Sequence, residues 1–289
     1  MTTDSKHDSD ILILAATGKT GRRVVERLRT QGAAVRAASR SSEVTFDWTA
    51  PATWEPALAG ATALYLVAPD DPDPVEDFVR LAVESGVRRI VALSGRGLDR
   101  IGEDVGAGTA TFYTGMAAAE RAVRGSGVEW TIIRPNNFNQ NFDEDMWRQP
   151  LRDGRLALPI GATPEPFIDA DDVAAVAAAL LTRDGDRHLG EVYELSGPRG
   201  LSFGEAVGTI ARAAGREIAY VELTPEEYEA ELLAEGYPEV AAKAFGALFA
   251  LHRTGYTAAP VDGVQRVLGR APTDFTAYAE RAAAAGAWT

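Results

Sequence analysis

The segment Ile11-Leu12-Ile13-Leu14-Ala15-Ala16-Thr17-Gly18-Lys19-Thr20-Gly21 decides the fold of this chain. Its first five residues form a continuous apolar run, which is typical of a strand buried on both faces. From Thr20 onward the apolar positions take helical spacing, with Val24, Val25 and Leu28 on one face. A helix that begins directly after a glycine turn presents N–H groups to an anion. The segment therefore predicts a βα unit with an anion-binding turn.

The two glycines of this turn have separate roles. Gly18 lets the backbone approach a pyrophosphate without a side-chain clash, and Gly21 lets the helix pack close to the strand. The alternative is an ordinary tight βα turn, but the setting at the start of the chain is the one that a dinucleotide site requires. We predict pyrophosphate contacts from Thr17, Gly18, Lys19, Thr20 and Gly21.

Strand-like and helix-like segments alternate through the first half of the chain. This alternation predicts parallel strands joined by right-handed crossovers, an α/β fold with a Rossmann-type doubly wound sheet. The predicted strands are 11–15, 33–38, 61–68, 89–94, 129–134 and 191–195, with helices at 20–31, 74–85 and 115–124.

The later part of the chain is mostly helical and rich in alanine. We expect a smaller, substrate-binding lobe that closes over the cofactor. The expected division is a disordered tail over residues 1–10, a nucleotide-binding Rossmann domain over 11–150 with returning segments 165–196, and the smaller lobe over 151–289.

Composition excludes several classes of protein. The 289 residues carry a formal net charge of −13, which repels phosphate backbones and argues against nucleic-acid binding. No apolar run approaches the ~18 residues that span a bilayer, and the polar start lacks the apolar core of a secretion signal. The chain has no cysteine, and we find no constellation of metal ligands. We expect a cytoplasmic monomer or homodimer with a small-molecule substrate.

The end of the second predicted strand indicates which dinucleotide binds. An NAD-selective site normally places an acid there for the ribose hydroxyls, but this chain has Ser39-Arg40-Ser41 and no acid before Glu43. Arg40 instead suits a 2′-phosphate. The alternative is a solvated surface arginine. We predict NADP(H) as the cofactor.

Taken together, these segments resemble the NmrA-like family of atypical short-chain dehydrogenases. The family turn T-G-A-T-G-x-x-G is matched except that Ala15 replaces its first glycine. The chain looks most similar to the subgroup of ergot-alkaloid iminium reductases. Matching segments are 16–21, 46–48, 66–69, 91–94, 126–138, 166–169, 171–174 and 269–272.

The resemblance implies further cofactor contacts. Asp47 and Trp48 match the segment that lies against the adenine, and Val67-Ala68-Pro69 matches the strand end beneath the ribose. Ser94 matches the serine of the active-site strand, and Asn136 matches a position near the nicotinamide.

The catalytic set of typical short-chain dehydrogenases is missing from the sequence. Those enzymes use Ser, Tyr and Lys, with the last two spaced Y-x-x-x-K, so that the lysine lowers the tyrosine pKa. Tyr113 is the only tyrosine in the right region, and Ala117 stands four residues later. A second alignment puts Phe112 and Met116 at the two positions. Neither alignment supplies a lysine.

Two functions remain open. In the first, the chain is an NADPH-dependent reductase whose substrate needs little proton transfer from the enzyme, such as an iminium, a quinone or an activated alkene. In the second, it is a non-catalytic NAD(P)-sensing regulator. Tyr113 is our candidate catalytic residue, as a proton donor or substrate-orienting group; the alternative is a packing aromatic.

Amides and aromatic residues are concentrated just after the fifth predicted strand. Such a combination suits a flat ring substrate held by a few polar groups. The alternative is an irregular loop whose aromatic rings only pack. The candidate substrate residues are Asn137, Phe138, Asn141, Phe142 and Trp147.

Overall fold

The computed structural model describes residues 10–98, 113–182 and 185–289, with only the backbone of Asp186. The predicted tail lies outside the described residues except for Asp10, which begins the first strand. Phe112 also lies outside them.

The described part of the chain contains nine strands and eleven α-helices. In chain order the first ten elements are β1 (Asp10–Ile13), α1 (Lys19–Thr30), β2 (Val35–Ser39), β3 (Val44–Thr45), α2 (Trp54–Leu58), β4 (Ala61–Val67), α3 (Asp73–Glu84), β5 (Arg89–Leu93), α4 (Thr114–Gly125) and β6 (Glu129–Pro135). The others are α5 (Arg148–Arg152), β7 (Arg155–Leu158), α6 (Ala170–Thr182), β8 (Glu191–Leu195), α7 (Phe203–Ala214), β9 (Ala219–Glu222), α8 (Pro225–Ala234), α9 (Glu239–Arg253), α10 (Gly263–Leu268) and α11 (Phe275–Ala284).

Seven strands form the main sheet, in the order β3-β2-β1-β4-β5-β6-β8. The pairs β1–β2, β1–β4, β2–β3, β4–β5 and β5–β6 are parallel. Because β1 lies between β2 and β4, the strand order reverses at β1, where such sheets bind their ligands. The predicted Rossmann-type doubly wound sheet is confirmed.

Three strands were not predicted. β3 has only two residues, and β7 and β9 form a separate parallel pair that aligns Arg155 with Ala219. β9 has no buried residue. These strands therefore lack the continuous apolar run by which a buried strand is recognised.

The chain divides into two compact units. The first unit comprises Met1–Ser94, Thr114–Ile133 and Ala174–Tyr193. The second comprises Gly95–Tyr113, Arg134–Val173 and Glu194–Thr289. Residues 134–150 lie in the second unit, and the expected nucleotide-binding and substrate-binding domains stay a prediction.

Each unit has its own core. In the first, β1 and β4 contribute the fully buried Leu12 and Leu64, and α3 contributes Phe78. The second core combines aromatic and aliphatic side chains, and the rings of Phe142 and Phe167 lie edge to face with centroids 5.2 Å apart. No helix among the described residues is both long and apolar enough to cross a membrane.

Candidate functional site

The predicted anion-binding turn lies in the first unit, between β1 and α1. Ala15 has a φ of 51°, the left-handed conformation that favours glycine, and its carbonyl oxygen accepts a hydrogen bond of 2.8 Å from Gly18 N. Gly18 caps α1 with an extended backbone. No side chain caps the helix, and its first turn has no acidic residue. The turn therefore presents helix N–H groups to an anion, as a pyrophosphate site requires.

Gly21 lies in the first turn of α1, directly against the strand end. A Cβ atom at this position would overlap the carbonyl oxygen of Ala15, well inside van der Waals contact. A Cβ on Gly18 would approach the same oxygen at 3.2 Å, which is tight but tolerable. Close helix–strand packing therefore depends on Gly21. Beside it, Thr20 is buried and Thr17 is exposed.

Glu43, the first acidic residue after β2, is hydrogen-bonded within the protein. Glu43 accepts hydrogen bonds from Ala37 N at 3.0 Å and from the Arg29 guanidinium at 2.7 Å. The Ala37 N–H, followed by Arg29, holds the Glu43 pKa below its usual value. Arg40, in contrast, has an exposed side chain. The end of β2 thus carries an exposed cation, and the next acid in the sequence, Glu43, is hydrogen-bonded to other groups.

Asp47 and Trp48 follow β3 on the same side of the unit. The Asp47 carboxylate accepts hydrogen bonds from the Thr49 N–H at 2.9 Å and from its hydroxyl at 2.8 Å, which lower the Asp47 pKa. The half-buried Trp48 ring packs edge to face on Phe78, with centroids 4.8 Å apart. The Trp48 ring also packs on Phe46 and Trp54, and part of it remains exposed.

The segment Val67-Ala68-Pro69 ends β4 and is half-buried. Helix α4 packs directly against this segment: a Cβ atom on Gly115 would overlap the carbonyl oxygen of Pro69. The Thr114 hydroxyl donates to Asp70 O at 2.9 Å. This segment, the phosphate turn and Arg40 all follow the carboxyl ends of neighbouring strands, where dinucleotides bind in such sheets.

Ser94 follows β5 and is buried. Its hydroxyl donates to Glu120 Oε1 on α4 at 2.6 Å. Glu120 is also buried, and Arg124 pairs with its other oxygen at 3.4 Å. The hydroxyl therefore ties a strand end to a helix, and its contact with a cofactor stays a prediction.

The second unit contains a cluster of polar side chains around a buried carboxylate, which we name the Glu165 cluster. The Glu165 side chain is 2% exposed and His252 is 14% exposed, with Nε2 of His252 2.9 Å from Oε2 of Glu165. Asn136 Nδ2 donates to the other carboxylate oxygen at 2.7 Å, and Asn137 N donates to it at 3.2 Å. The cluster comprises Arg96, Tyr113, Asn136, Asn137, Glu165, Glu194, His252, Tyr256 and Thr257.

Asn136 lies at the centre of this cluster and is buried. Its Nδ2 donates to Glu165 and also to Thr257 O at 3.2 Å. Its Oδ1 accepts from Arg96 Nη1 at 2.8 Å, and Arg96 Nε pairs with Glu194 at 3.0 Å. Both donor hydrogens of Asn136 are thus used within the protein. A contact with the nicotinamide stays a prediction.

Tyr113, the candidate catalytic residue, is half-buried and hydrogen-bonded to Tyr256. Burial raises the Tyr113 pKa, and the negative charge of Glu165 raises it further, while the bond to Tyr256 lowers it. Burial also raises the Tyr256 pKa. The Tyr256 ring lies directly on Gly97, where a Cβ would overlap it. Tyr113 therefore keeps its proton at neutral pH and acts as a hydrogen-bonding hydroxyl.

The predicted substrate residues have different environments. Asn137 joins the Glu165 cluster, with its Nδ2 2.7 Å from Nε2 of His252. Phe138 and Asn141 are half-buried. Phe142 is fully buried in the core of the second unit, and Trp147, 5% exposed, packs on it with centroids 4.8 Å apart. Core packing accounts for these last two rings.

Sequence reasoning singled out Tyr113, Asn136 and Asn137 but missed the other residues of the Glu165 cluster. Arg96, Glu165, His252 and Tyr256 come from separate segments, and Asn137 and His252 are 115 positions apart. No local spacing marks such a group. The one available signal was scarcity, since the chain has only three histidines. Where the structure describes the chain, no group of three or more His, Asp or Glu side chains is arranged to hold a metal ion.

The fold and the phosphate turn define a Rossmann-type nucleotide-binding protein, and comparison with known proteins gives its family. Residues 15–184 match the family described as NAD(P)H-binding. An NAD(P)H azoreductase of Xenophilus azovorans is 32% identical, covering 95% of this chain and 98% of that protein. Festuclavine synthase I of Penicillium roqueforti is 30% identical, covering 93% and 97%.

Solved structures agree with the fold. The triphenylmethane reductase of Citrobacter sp. in complex with NADP(H) has a TM-score of 0.77 at 19% identity, covering 95% of this chain and 99% of that one. NmrA, a negative transcriptional regulator in complex with NAD, has a TM-score of 0.75 at 16% identity, covering 96% of each chain. The chain belongs to the NAD(P)H-binding family and is an NAD(P)H-dependent reductase.

Proposed function

We propose that this chain uses NADPH to reduce a small conjugated or cationic organic molecule, such as an iminium, a quinone or an activated alkene. The single observation that carries the cofactor assignment lies at the end of β2. Arg40 is exposed there, whereas Glu43, the next acid in the sequence, is bound by Ala37 N and Arg29. The Asp47 carboxylate also feels the charge of Arg40, which, after Thr49, contributes to lowering the Asp47 pKa. An exposed guanidinium at the end of β2 suits the 2′-phosphate that distinguishes NADP(H) from NAD(H).

Residues of the first unit fit the rest of the cofactor. The N–H groups from Gly18 to Gly21 suit the pyrophosphate, and the half-buried Trp48 suits the adenine. The segment 67–69 suits the adenosine ribose. When bound, NADPH supplies the hydride. The protein contributes binding, orientation and the exclusion of water.

The substrate class is supported by the chemistry of the second unit and by the relatives. Tyr113 keeps its proton because burial raises its pKa, so its role is to orient the substrate through a hydrogen bond. Asn137 and Asn141 suit polar groups on a flat ring, with Phe138 beside them. Two relatives are named for small organic molecules, one as an NAD(P)H azoreductase and the other as a festuclavine synthase, which supports an organic substrate for this chain.

The experiment that tests this function is NADPH oxidation, followed at its near-ultraviolet absorbance, with quinones, cyclic iminium ions, azo dyes and activated alkenes as acceptors. We expect turnover with at least one class, and a kcat/KM for NADPH above that for NADH. Tight NADPH binding without turnover of any acceptor would contradict the proposal.

A second candidate is a non-catalytic sensor of the NAD(P) redox state. The observation that favours it is Tyr113, whose pKa is raised by burial where catalysis by this class of enzyme usually requires it to be lowered. A sensor must bind the oxidised and reduced cofactors with different affinities and turn over neither. Calorimetric titration with NADP⁺ and NADPH, beside the turnover assay, separates the two functions.

The proposed setting is the cytoplasm, as a monomer or homodimer without a nucleic-acid partner, in keeping with the net charge of −13. Light scattering of the purified protein measures the oligomeric state. A molar mass above that of two chains would contradict it.

A further inference from the structure

A cavity of about 640 Å³ lies within the second unit, between α5, β7, α8 and α9. Every residue that lines it belongs to that unit. A volume of this size is typical of sites that hold small organic ligands. Of the residues predicted for cofactor or substrate, Trp147 is the one that lines it. The cavity is therefore a candidate for a further binding site.

One wall of the cavity is aromatic. Tyr237 and Phe245 line it with their rings edge to face and their centroids 6.2 Å apart. Tyr228 lines it from α8, and its ring packs edge to face on Phe249 with centroids 5.3 Å apart. At the rim, Tyr237 is 45% exposed and Met146 is 44% exposed. Large apolar side chains that stay in water beside a cavity provide a contact surface for a ligand.

Carboxylates outnumber cations around this cavity. Asp153, Glu231 and Glu235 line it, and Arg155 is the one cation among the described lining residues. Arg155 already holds Glu231 through both terminal nitrogens, at 2.7 and 3.2 Å. The Asp153 carboxylate accepts a hydrogen bond of 2.8 Å from the neutral amide of Gln149. The lining is therefore negative overall.

The aromatic wall and the carboxylates lie close to each other. Burial raises the pKa of Tyr228 above its ordinary value. Its neighbour Tyr237 raises that pKa further, as do the negative charges of Glu235 and Glu231. Charges at a protein surface act in this way only over short distances, because salt screens them. A ligand in the cavity thus meets aromatic rings and carboxylates together.

We propose that this cavity binds a small organic cation that carries an aromatic ring. Its positive charge lies at Glu235 and against the Tyr237 ring, because carboxylates and aromatic faces both attract cations. The aromatic part of the ligand packs on Phe245 and Met146. The negative lining repels an anion of the same shape, and a neutral molecule gains from burial alone. This site goes beyond the reductase activity and does not rest on the proposed function.

The probe is benzyltrimethylammonium, which is a cation at every pH and has no double bond that a hydride reduces. A neutral aromatic, 2-phenylethanol, is the comparison. Titration of the full chain, followed by the chemical shifts of its backbone amides, gives both the affinity and the location of binding. We expect the shifts to concentrate in segments 146–158 and 228–245, with the cation bound at least about threefold more tightly than the neutral molecule.

Glu235→Gln removes the charge while keeping the size of an exposed side chain. We expect it to weaken binding of benzyltrimethylammonium by about threefold and to leave 2-phenylethanol unchanged, because an exposed ion pair contributes modestly. Glu226→Gln is the matched control. It removes an exposed carboxylate from the same helix, α8, at a position that does not line the cavity.

Two substitutions at Tyr237 test the aromatic contact. Tyr237→Leu keeps an apolar side chain but removes the ring, and we expect it to weaken binding of the cation by about threefold. Tyr237→Phe keeps the ring and should retain the affinity. Because Tyr237 is 45% exposed, neither change removes a core side chain.

Absence of saturable binding, equal affinity for the two probes, or shifts concentrated in the first unit would overturn the inference. Unchanged affinity in both Glu235→Gln and Tyr237→Leu would overturn it as well. Failure of the turnover assay would contradict the proposed function and leave this site unaffected, since the probe is not a hydride acceptor.

Discussion

The carbonyl oxygen of Ala15 occupies the space that a side chain of Gly21 would need. The first turn of α1 is thus packed directly on the end of β1, and Ala15 takes a left-handed φ of 51° to place that oxygen. The helix N-terminus is thereby held at the carboxyl edge of the sheet, where a pyrophosphate binds.

Gly21→Ala should therefore displace α1 from β1. We expect NADPH affinity to fall by at least about tenfold, because the N–H groups no longer converge on one position. Gly125→Ala is the matched control, since a Cβ there meets nothing within 4 Å. Isothermal titration calorimetry measures both. Wild-type affinity in Gly21→Ala would contradict the assignment of the turn.

Ala15→Gly should stabilise the protein. A non-glycine residue in the left-handed region costs about 1–2 kcal/mol, against which glycine loses some unfolded-state entropy. We expect the free energy of unfolding to rise by about 0.5–1 kcal/mol, with NADPH binding retained. Urea denaturation measures the change, and a loss of stability would show that φ at residue 15 is not left-handed.

Arg40→Ala should change the choice of cofactor. Loss of a charge-assisted hydrogen bond to the 2′-phosphate, ~1.5–3 kcal/mol, weakens NADPH by about 10–100-fold and leaves NADH nearly unchanged. Arg80→Ala, which removes an exposed arginine of α3 paired with Asp77, is the control. Dissociation constants for both cofactors provide the comparison. Parallel losses for NADPH and NADH would refute contact with the 2′-phosphate.

Phe142→Ala tests whether this aromatic packs or binds substrate. Its ring is fully buried against Trp147, Phe167, Phe203 and Phe275. We expect a loss of about 3–5 kcal/mol in the free energy of unfolding. Met146→Ala, at an exposed neighbouring position, should cost less than about 0.5 kcal/mol. A small loss of stability in Phe142→Ala with a large rise in KM would instead indicate a substrate contact.

The ion pair between Arg199 and Asp274 should contribute to stability only above acidic pH. Hydrogen bonding from Arg199 lowers the Asp274 pKa to about 2. Because the folded-state pKa is depressed, the contribution is full above the unfolded value of 3.8 and is lost as pH falls through about 2. The carboxylate is partly exposed, so after solvent screening we expect only about 1 kcal/mol.

Arg199→Gln should therefore reduce the free energy of unfolding by about 1 kcal/mol at pH 7 and by nothing measurable below about pH 2. Urea denaturation across this pH range provides the measurement. A constant difference between the two proteins at every pH would contradict the electrostatic origin of the effect.

The sequence predicted those features whose residues lie close together in the chain. The phosphate turn lies within one short segment, and the apolar run of β1 and the helical spacing of α1 are visible in the sequence itself. The position of Glu43 was not predictable. Its carboxylate turns back to Ala37 N and Arg29, and only the folded chain shows that this acid is engaged.

The Glu165 cluster, in contrast, could not be predicted from local sequence patterns. Glu165 precedes α6 and His252 ends α9, so their pairing depends on the packing of distant segments. The aromatic residues after β6 were also ambiguous, because the sequence does not separate a ring that is fully buried, such as Phe142, from one that is half-buried, such as Phe138. Tertiary packing, which residue spacing does not encode, decides both.

The most direct test of the reductase assignment is the fate of deuterium carried at C4 of the nicotinamide of NADPH. The protein is incubated with each C4-deuterated epimer and an accepted iminium ion or activated alkene, whose new C–D bond does not exchange with water, and the product is analysed by mass spectrometry. Direct hydride transfer predicts one deuterium in the product from one epimer and none from the other. A reduced product without deuterium from either epimer, or no reduced product while NADPH is bound, would contradict it.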